Sequence, residues 1–459
     1  MEWEAIQERL NSLLEKGRHG ELRGAMMMLN EVDIAQYMET LDKEKLLLVF
    51  RILPKDISAD VFSYMSAEQK QTLIESIGDN EIRALIDDMF LDDAVDFLEE
   101  LPASVVKRVL QNADPEKRNL INQFLRYPEN SAGSLMTIEY LEFQGRDTVR
   151  QAMDLIRKEG LDKETIYTLY IIDATHHLIG TLALRKMILA SEDTVLADIM
   201  DRNVVLVHTL DDQEQVAELV RRYDLMAIPV VDKEDRLVGI ITADDIMDVI
   251  EEETTEDFEK MAALTPSDDE YLKTSPFKLA LNRIPWLLLM AVIAIFTGLI
   301  ITNYETLLQD APGKFGIILT ACIPMLMDTG GNCGAQSSTL IIRGLSLGQI
   351  TLKDFFKALW KEFRVAIIVG AVLFVFTLLR VRYLNEGADW SVAFVVAAAL
   401  WCTIILAKAL GCAMPMLAKK LGLDPALMAS PMITTIVDMS SLFIYFTIAS
   451  AVISRVPAA

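Results

Sequence analysis

Over about the first 130 residues apolar positions recur with a spacing near 3.6, and the pattern is cut by Leu-Pro steps at Leu53-Pro54 and Leu101-Pro102. This predicts a series of short amphipathic helices. The two steps head a repeat: LPKDISADVFSYMSAEQKQTLI and LPASVVKRVLQNADPEKRNLI align at a constant offset of 48, matching Val61 with Val109, Glu68 with Glu116 and Lys70 with Arg118. That period suits stacked helix pairs, a small superhelical solenoid. From about 131 to 255 short β-branched strands alternate with helices, and YIIDATHHLIGTLALRKMI is echoed by PVVDKEDRLVGIITADDIM, Asp173 matching Asp232 and Gly180 matching Gly239, 59 positions apart. Beyond about 270 come long apolar runs: Ile284–Ile301, Phe315–Ile342, Val365–Leu379, Trp390–Leu417 and Ala426–Ile453. Most are near or above the ~18 to 20 residues that cross a bilayer, so five membrane helices are expected. The third run is the shortest, and its helix is expected to extend into the preceding FFKALWKEFR, whose basic and aromatic residues suit a membrane interface.

Charge divides the chain at the same place. Residues 1 to 270 hold 28 Lys and Arg against 58 Asp and Glu, and residues 271 to 459 hold 15 against 9, so a half with net charge -30 precedes an apolar half with +6. The polar first 30 residues contain no signal-peptide core, which places residues 1 to 270 in the cytoplasm. Arg343, Lys353, Lys357, Lys361, Arg364, Lys419 and Lys420 follow the second and fourth runs, whereas the alternate loops mix Lys314, Arg380 and Arg382 with Glu305, Asp310, Glu386 and Asp389. The bias agrees with a cytoplasmic N-terminus and an extracytoplasmic C-terminus. Cys322, Cys333, Cys402 and Cys412 all fall in membrane runs, with no C-x-x-C pair and no clustered His, so neither a disulfide framework nor a zinc site is indicated. A net charge of -30 without basic clusters argues against nucleic acid.

Candidate chemistry concentrates in two places. Between Asp244 and Glu270 twelve acids stand against one base, Lys260. Such a run is ordinarily a solvated helix face. This one leads into the first membrane helix, and packed against another acidic surface it would need bound cations, since hard divalent ions take oxygen ligands. In the membrane runs the ionisable residues are Asp328, Lys408 and Asp438. Asp438 has two plain readings, an internal salt bridge with Lys408, or a counter-charge for a passing ion while Lys408 snorkels toward the cytoplasm. Thr434, Thr435, Ser440 and Ser441 surround it with hydroxyls, and Pro431 loosens the backbone upstream. In CIPMLMDTGGNCGAQSSTLIIRG, Gly330, Gly331 and Gly334 permit close helix approach, while Asn332, Gln336, Ser337, Ser338 and Thr339 supply polar groups suited to a pore lining or a packed interior.

The second repeat resembles a tandem of CBS domains, which commonly bind an adenine nucleotide between the two modules. In the second copy GIITADDIM carries G-x-x-T-x-x-D at Gly239, Thr242 and Asp245, and the resemblance implies that these, with Pro229, contact a nucleotide such as ATP. GTLALRKMI in the first copy lacks both polar positions, so one nucleotide per pair is expected, a purely structural pair being the plain alternative.

PMLMDTGGNCGAQSST, LDPALMASPMITTIVDMSSLFIYF and YPENSAGSLMT together resemble the signature segments of the MgtE magnesium channel family, and the resemblance spans the whole chain. It implies a multi-domain membrane protein: an all-α superhelical N-terminal domain (1–130), CBS domain 1 (131–198), CBS domain 2 (199–255), an acidic connecting helix (244–275) and a five-helix transmembrane pore domain (276–459). It further implies a homodimer in the plasma (inner) membrane whose second and fifth membrane helices line a central pore. Asp438 of both subunits is then the ion-selecting site, with Thr434, Thr435, Asn332, Gly331 and Gln336 beside it. Two such carboxylates suit a hydrated Mg²⁺, which gives up its waters reluctantly. Sensing of cytosolic Mg²⁺ falls to Asp92, Asp93 and Asp96 with Asp248, Glu251, Glu252, Glu256 and Glu259. At low Mg²⁺ repulsion among these acids splays the cytosolic domains, and at high Mg²⁺ bridging ions shut the gate, with ATP favouring the shut state. The competing readings are a secondary divalent-cation transporter coupled to H⁺ or Na⁺ and a membrane-anchored enzyme, for which residues 1 to 270 offer no nucleophile–base pair or phosphate-cradling loop.

Overall fold

The computed structural model describes residues 2–99, 101–267, 271–272, 274–305, 309, 315–385, 388–428 and 430–453. It divides into two compact units, Met1–Ile250 and Glu251–Ala459.

The first unit opens with short helices. From the third helix on they follow a strict rhythm: Glu31–Glu39, Lys55–Ser63, Asp79–Asp88 and Ala103–Asn112 begin 24 residues apart, and the alternate helices Lys43–Ile52, Ala67–Ser76, Leu91–Glu99 and Pro115–Phe124 do the same. The solenoid therefore has a 24-residue helix pair as its unit, and the offset of 48 spans two units. Polar residues set the starts: Asp42 and Asp114 accept from the backbone N–H of Lys45 and Glu116, and Pro115 opens its helix at a position where the missing N–H costs nothing. The buried faces meet in an aromatic seam in which Phe62 lies edge-on to Phe97 at 4.9 Å and to Phe50 at 6.3 Å.

Two three-stranded sheets follow. In the first, β1 (Glu142–Gln144) pairs parallel with β2 (Thr168–Ile172) across the helix Val149–Glu159, and β2 pairs antiparallel with β3 (Leu178–Ala183). In the second, β4 (Val207–His208), β5 (Ala227–Val231) and β6 (Leu237–Thr242) repeat that order around the helix Gln213–Tyr223. The 59-residue echo has a physical cause in the hairpin turns. Asp173 Oδ1 accepts from the N–H groups of Thr175 and His177, and Asp232 Oδ1 accepts from those of Glu234 and Arg236. The turns also bond reciprocally: Leu178 N–H donates to Asp235 O and Leu237 N–H to His176 O. Gly180 and Gly239 are small for a shared reason, since a Cβ at either would lie 2.6 to 2.7 Å from Met200 or Met136 and 2.9 Å from the carbonyl that follows it. The YPENSAGSLMT segment crosses from the last solenoid helix to the second module, where Ala132 and Gly133 N–H bond Asp211 O and Thr209 O.

Among its described residues the second unit has five long helices: Pro276–Asn303, Phe315–Ser346, Phe355–Leu384, Trp390–Lys420 and Ser430–Ile453, called first to fifth below. The third does begin in FFKALWKEFR, at Phe355. Among the described residues four segments are long and apolar enough to cross a membrane: Pro276–Asn303, Leu352–Leu384, Trp390–Lys420 and Pro425–Val452. The second helix is long enough at 32 residues, and the amides, hydroxyls and glycines of its C-terminal half lower its apolarity. Its buried face packs against the fourth and fifth helices. Among the described residues the first helix buries no side chain; Met290 touches Thr435 and Tyr304 just beyond its end stacks on Phe446 at 4.8 Å.

Candidate functional site

The second helix has two unlike faces. Gly330, Cys333, Gly334 and Ser337 are buried, and the glycines are there because neighbours leave no room: a Cβ on Gly330 would come 2.7 Å from Thr403 Cγ2, and one on Gly334 2.7 Å from Ile433 Cγ2. Gly331 is also buried, and a Cβ on it would come 3.0 Å from Thr434 Cγ2. On the other face Asp328, Asn332, Gln336 and Thr339 are exposed at helical spacing, and Asn332 Nδ2 donates to Asp328 Oδ1 at 3.2 Å. An amide and carboxylate stripe of this kind does not belong against lipid tails.

Asp438 is half-buried on the fifth helix, and the charge that acts on it is Asp328. The hydroxyls around it turn inward: Thr434 and Thr435 both donate to Pro431 O, Ser440 to Ile436 O and Ser441 to Val437 O. Each keeps its oxygen lone pairs as acceptor sites.

Both readings of Lys408 are corrected. It neither pairs with Asp438 nor reaches solvent: Lys408 Nζ lies 3.4 Å from Glu362 Oε2 and 3.1 Å from Ser337 Oγ, and the side chain is buried. Ser337 Oγ in turn donates to Glu362 Oε2 at 2.7 Å. The basic and aromatic residues of FFKALWKEFR suggest an interface position, but the helix that starts at Phe355 carries Glu362 into the packed interior. With Lys408 engaged there, no cation lies against Asp438 among the described residues.

In the first unit Asp92 and Asp93 at the start of Leu91–Glu99 meet Asp244 and Asp245 at the start of the helix Ala243–Met261, with Glu164 beside them. Burial, then the neighbouring carboxylates, hold Asp92 well above the usual carboxylate range, and burial raises Asp93 against the Ser63 hydrogen bond. Burial and the same acids push Glu164 up to about 7, and burial carries Asp245 to about 6. Glu164 follows the helix of the first module in a segment without periodicity, and nothing in its sequence marks it. Of the other residues expected to sense Mg²⁺, Asp96, Asp248, Glu251 and Glu252 are exposed, Glu256 pairs with Lys260 at 2.7 Å, and Glu259 accepts from Ser267 N–H. Lys260 also reaches Asp424 at 2.8 Å. Asp268, Asp269 and Glu270 of the acidic run lie outside the described residues. Among the described residues no three His, Cys, Asp or Glu side chains are gathered closely enough to hold a metal ion by themselves. Crowded buried carboxylates nevertheless supply the oxygen donors and excess negative charge that a hydrated divalent cation requires.

The residues expected to contact a nucleotide lie on the last two strands of the second module and the helix that follows. Pro229 is buried in β5, Gly239 lies in β6, and Thr242 at the end of β6 donates to Asp245 Oδ2 at 2.5 Å. At the offset of 59 the first module has Ala183 and Lys186 in place of Thr242 and Asp245.

These features define a multi-domain membrane protein in which a soluble α-solenoid and CBS pair precede a bundle of apolar helices. Comparison with known proteins gives its family. Family descriptions match over residues 29–130 (MgtE intracellular N domain), 196–252 (CBS domain) and 323–448 (MgtE, divalent cation transporter). The magnesium transporter MgtE of Thermus thermophilus is 34% identical over 457 residues, 99% of this chain and 100% of that protein. The magnesium transporter MgtE of Bacillus subtilis is 32% identical over 453 residues, 99% and 98% of the two chains. The crystal structure of the cytosolic domain of the Mg²⁺ channel MgtE in complex with ATP is similar at 35% identity and TM-score 0.51, covering 53% of this chain and 99% of that one. The chain belongs to the MgtE family of magnesium transporters.

Proposed function

We propose that this protein is a Mg²⁺-selective channel of the plasma membrane that admits Mg²⁺ to the cytoplasm. It works as a homodimer, with residues 1 to 270 cytoplasmic and the C-terminus outside. The observation that carries this reading is the open polar stripe of Asp328, Asn332 and Gln336 together with Asp438, whose nearest buried lysine is committed to Glu362. On the two-fold axis of a dimer that stripe escapes lipid, and two Asp438 carboxylates face a doubly charged ion. A ring that hydrogen-bonds the hydrated ion selects Mg²⁺ without stripping its waters. Asp328 and Asn332 add a carboxylate and an amide along the same path, with Gln336, Thr434 and Thr435 further along it and Gly331 allowing Thr434 its approach.

Gating in this reading is electrostatic. Buried Asp92, the partly buried Asp93, Glu164 and Asp245, and exposed Asp244 repel one another and are held together at low cost only when a cation neutralises them. Cytosolic Mg²⁺ therefore favours the compact arrangement and closes the pore, with Asp96, Asp248, Glu251, Glu252, Glu256 and Glu259 extending the sensor along the connecting helix. ATP at Pro229, Gly239, Thr242 and Asp245 stabilises the same arrangement; the similarity to an ATP-bound relative supports this.

The test is Mg²⁺ flux into proteoliposomes holding the full chain or Asp438→Asn, each at low and high Mg²⁺ on the cytosolic side. The expected result is flux that high cytosolic Mg²⁺ suppresses and that Asp438→Asn abolishes. An Asp438→Asn protein that conducts like wild type sinks the pore reading, and flux that follows an imposed H⁺ or Na⁺ gradient replaces the channel by a coupled transporter.

A further inference from the structure

The mechanism above makes no use of the Glu362–Lys408 pair, although its side chains are only 11% and 6% exposed. Charges so enclosed in a membrane bundle are costly, and a well-packed apolar pair would serve stability as well. Their third partner suggests what they do. Ser337 accepts from Lys408 and donates to Glu362, so the pair on the third and fourth helices grips one side chain of the second.

The second helix has reason to be gripped. Its buried face carries Gly330, Gly331 and Gly334, and Gly411 of the fourth helix sits directly against Gly334 O. Glycine faces let helices approach closely, and between Leu326 and Ile341 the buried positions are Gly330, Gly331, Cys333, Gly334, Ser337 and Ser338, with no large apolar knob of the second helix's own to resist rotation about its axis. Ser337 lies on that face, about 180° around the helix from Asp328 and about 140° from Asn332 at 100° per residue. Whatever fixes Ser337 at the back fixes which residues stand at the front.

We propose that Glu362 and Lys408 are positioning residues for ion passage: by holding Ser337 they lock the rotation of the second helix that turns Asp328, Asn332 and Gln336 to its open face. The proposal rests on reading that face as the ion path, but the lock can be tested separately.

The probe is a charged methanethiosulfonate reagent applied to the full-length protein carrying Cys402→Ser, which removes the one exposed native thiol. Labelling is read by peptide mass spectrometry at an introduced Asn332→Cys on the front and at native Cys333, buried on the back. In the unaltered lock Asn332→Cys labels and Cys333 does not. Ser337→Ala is expected to slow labelling at Asn332→Cys by roughly three- to thirtyfold, the range for mutations that alter coupling between elements. It should also expose Cys333 and, with Asn332 restored, raise the KM for Mg²⁺ flux. Glu362→Gln combined with Lys408→Met is expected to do the same while keeping the wild-type Tm, because removing both charges leaves neither unpaired. Lys408→Met alone leaves a buried carboxylate and should lower Tm. If the double variant fails to fold, Ser337→Ala decides. Labelling and flux like wild type in Ser337→Ala overturn the lock. A shifted labelling pattern in a protein whose flux ignores Asp438→Asn keeps the lock and removes the ion path.

Discussion

Among single residues, the acids of the first unit make the sharpest prediction. Free carboxyls of the unfolded chain lose their protons near 4, whereas Glu164 holds its proton up to about 7 and Asp245 up to about 6. The folded state thus binds more protons across that window. Their contribution to stability is complete below about 4 and is lost as pH rises through about 6 to 7. In Mg²⁺-free buffer, amide exchange in the helix Leu91–Glu99 should therefore quicken between pH 5.5 and 8 beyond its intrinsic base dependence. Millimolar Mg²⁺ should suppress the excess, and Glu164→Gln should reduce it. Excess exchange that Mg²⁺ leaves untouched would mean these acids do not meet the ion. The sequence offered Asp92 and Asp93 through a motif but not Glu164 or Glu362. Neither lies where periodicity or a charge run singles it out, and only tertiary packing gives each its neighbours.

Helices were legible where a period exists. The CBS echo of 59 survives as matched turns, and the membrane runs become helices because their apolar stretches are long. The Leu-Pro repeat shows the solenoid at twice its unit, since Leu-Pro recurs at 53 and 101 while Ile77-Gly78 heads the helix between them. The glycines of the second helix were correctly expected to permit close approach, but their partner Gly411 lies in an unremarkable LGCAM stretch. A methyl group at Gly411 would meet the carbonyl of Gly334, backbone that cannot swing aside. Gly411→Ala should cost about 1 to 3 kcal/mol, seen as a lower Tm in detergent, the usual penalty for overpacking. Gly298 in the first helix has nothing near it, so Gly298→Ala should leave Tm unchanged or raise it by the helix-propensity gain. Equal effects at the two sites would remove the packing explanation.

For the molecule as a whole, the change in composition near residue 270 announced a soluble half and a membrane half, and the fold has both. Composition could not indicate how the connecting helix is held, because that depends on which acid meets the chain's one basic residue in the acidic run. The connecting helix Ala243–Met261 begins at the Thr242–Asp245 hydrogen bond and ends at Lys260, which bonds Glu256 on its own helix and Asp424 in the loop before the fifth helix. Asp257 stands beside them, pushed to about 6 by burial and by Asp424. In the proposed gating this ion pair holds the connecting helix to the loop that leads to Asp438, and so helps keep the pore shut. The pair is partly exposed and worth about 0.5 to 1 kcal/mol. Lys260→Met should then raise the cytosolic Mg²⁺ needed for half-inhibition of flux by roughly two- to fivefold, and Lys260→Asp with Asp424→Lys should restore it. Lys260→Met with a lower Mg²⁺ requirement would reverse the assignment: the ammonium would then be occupying, among Glu256, Asp257 and Asp424, a place that a divalent cation fills better.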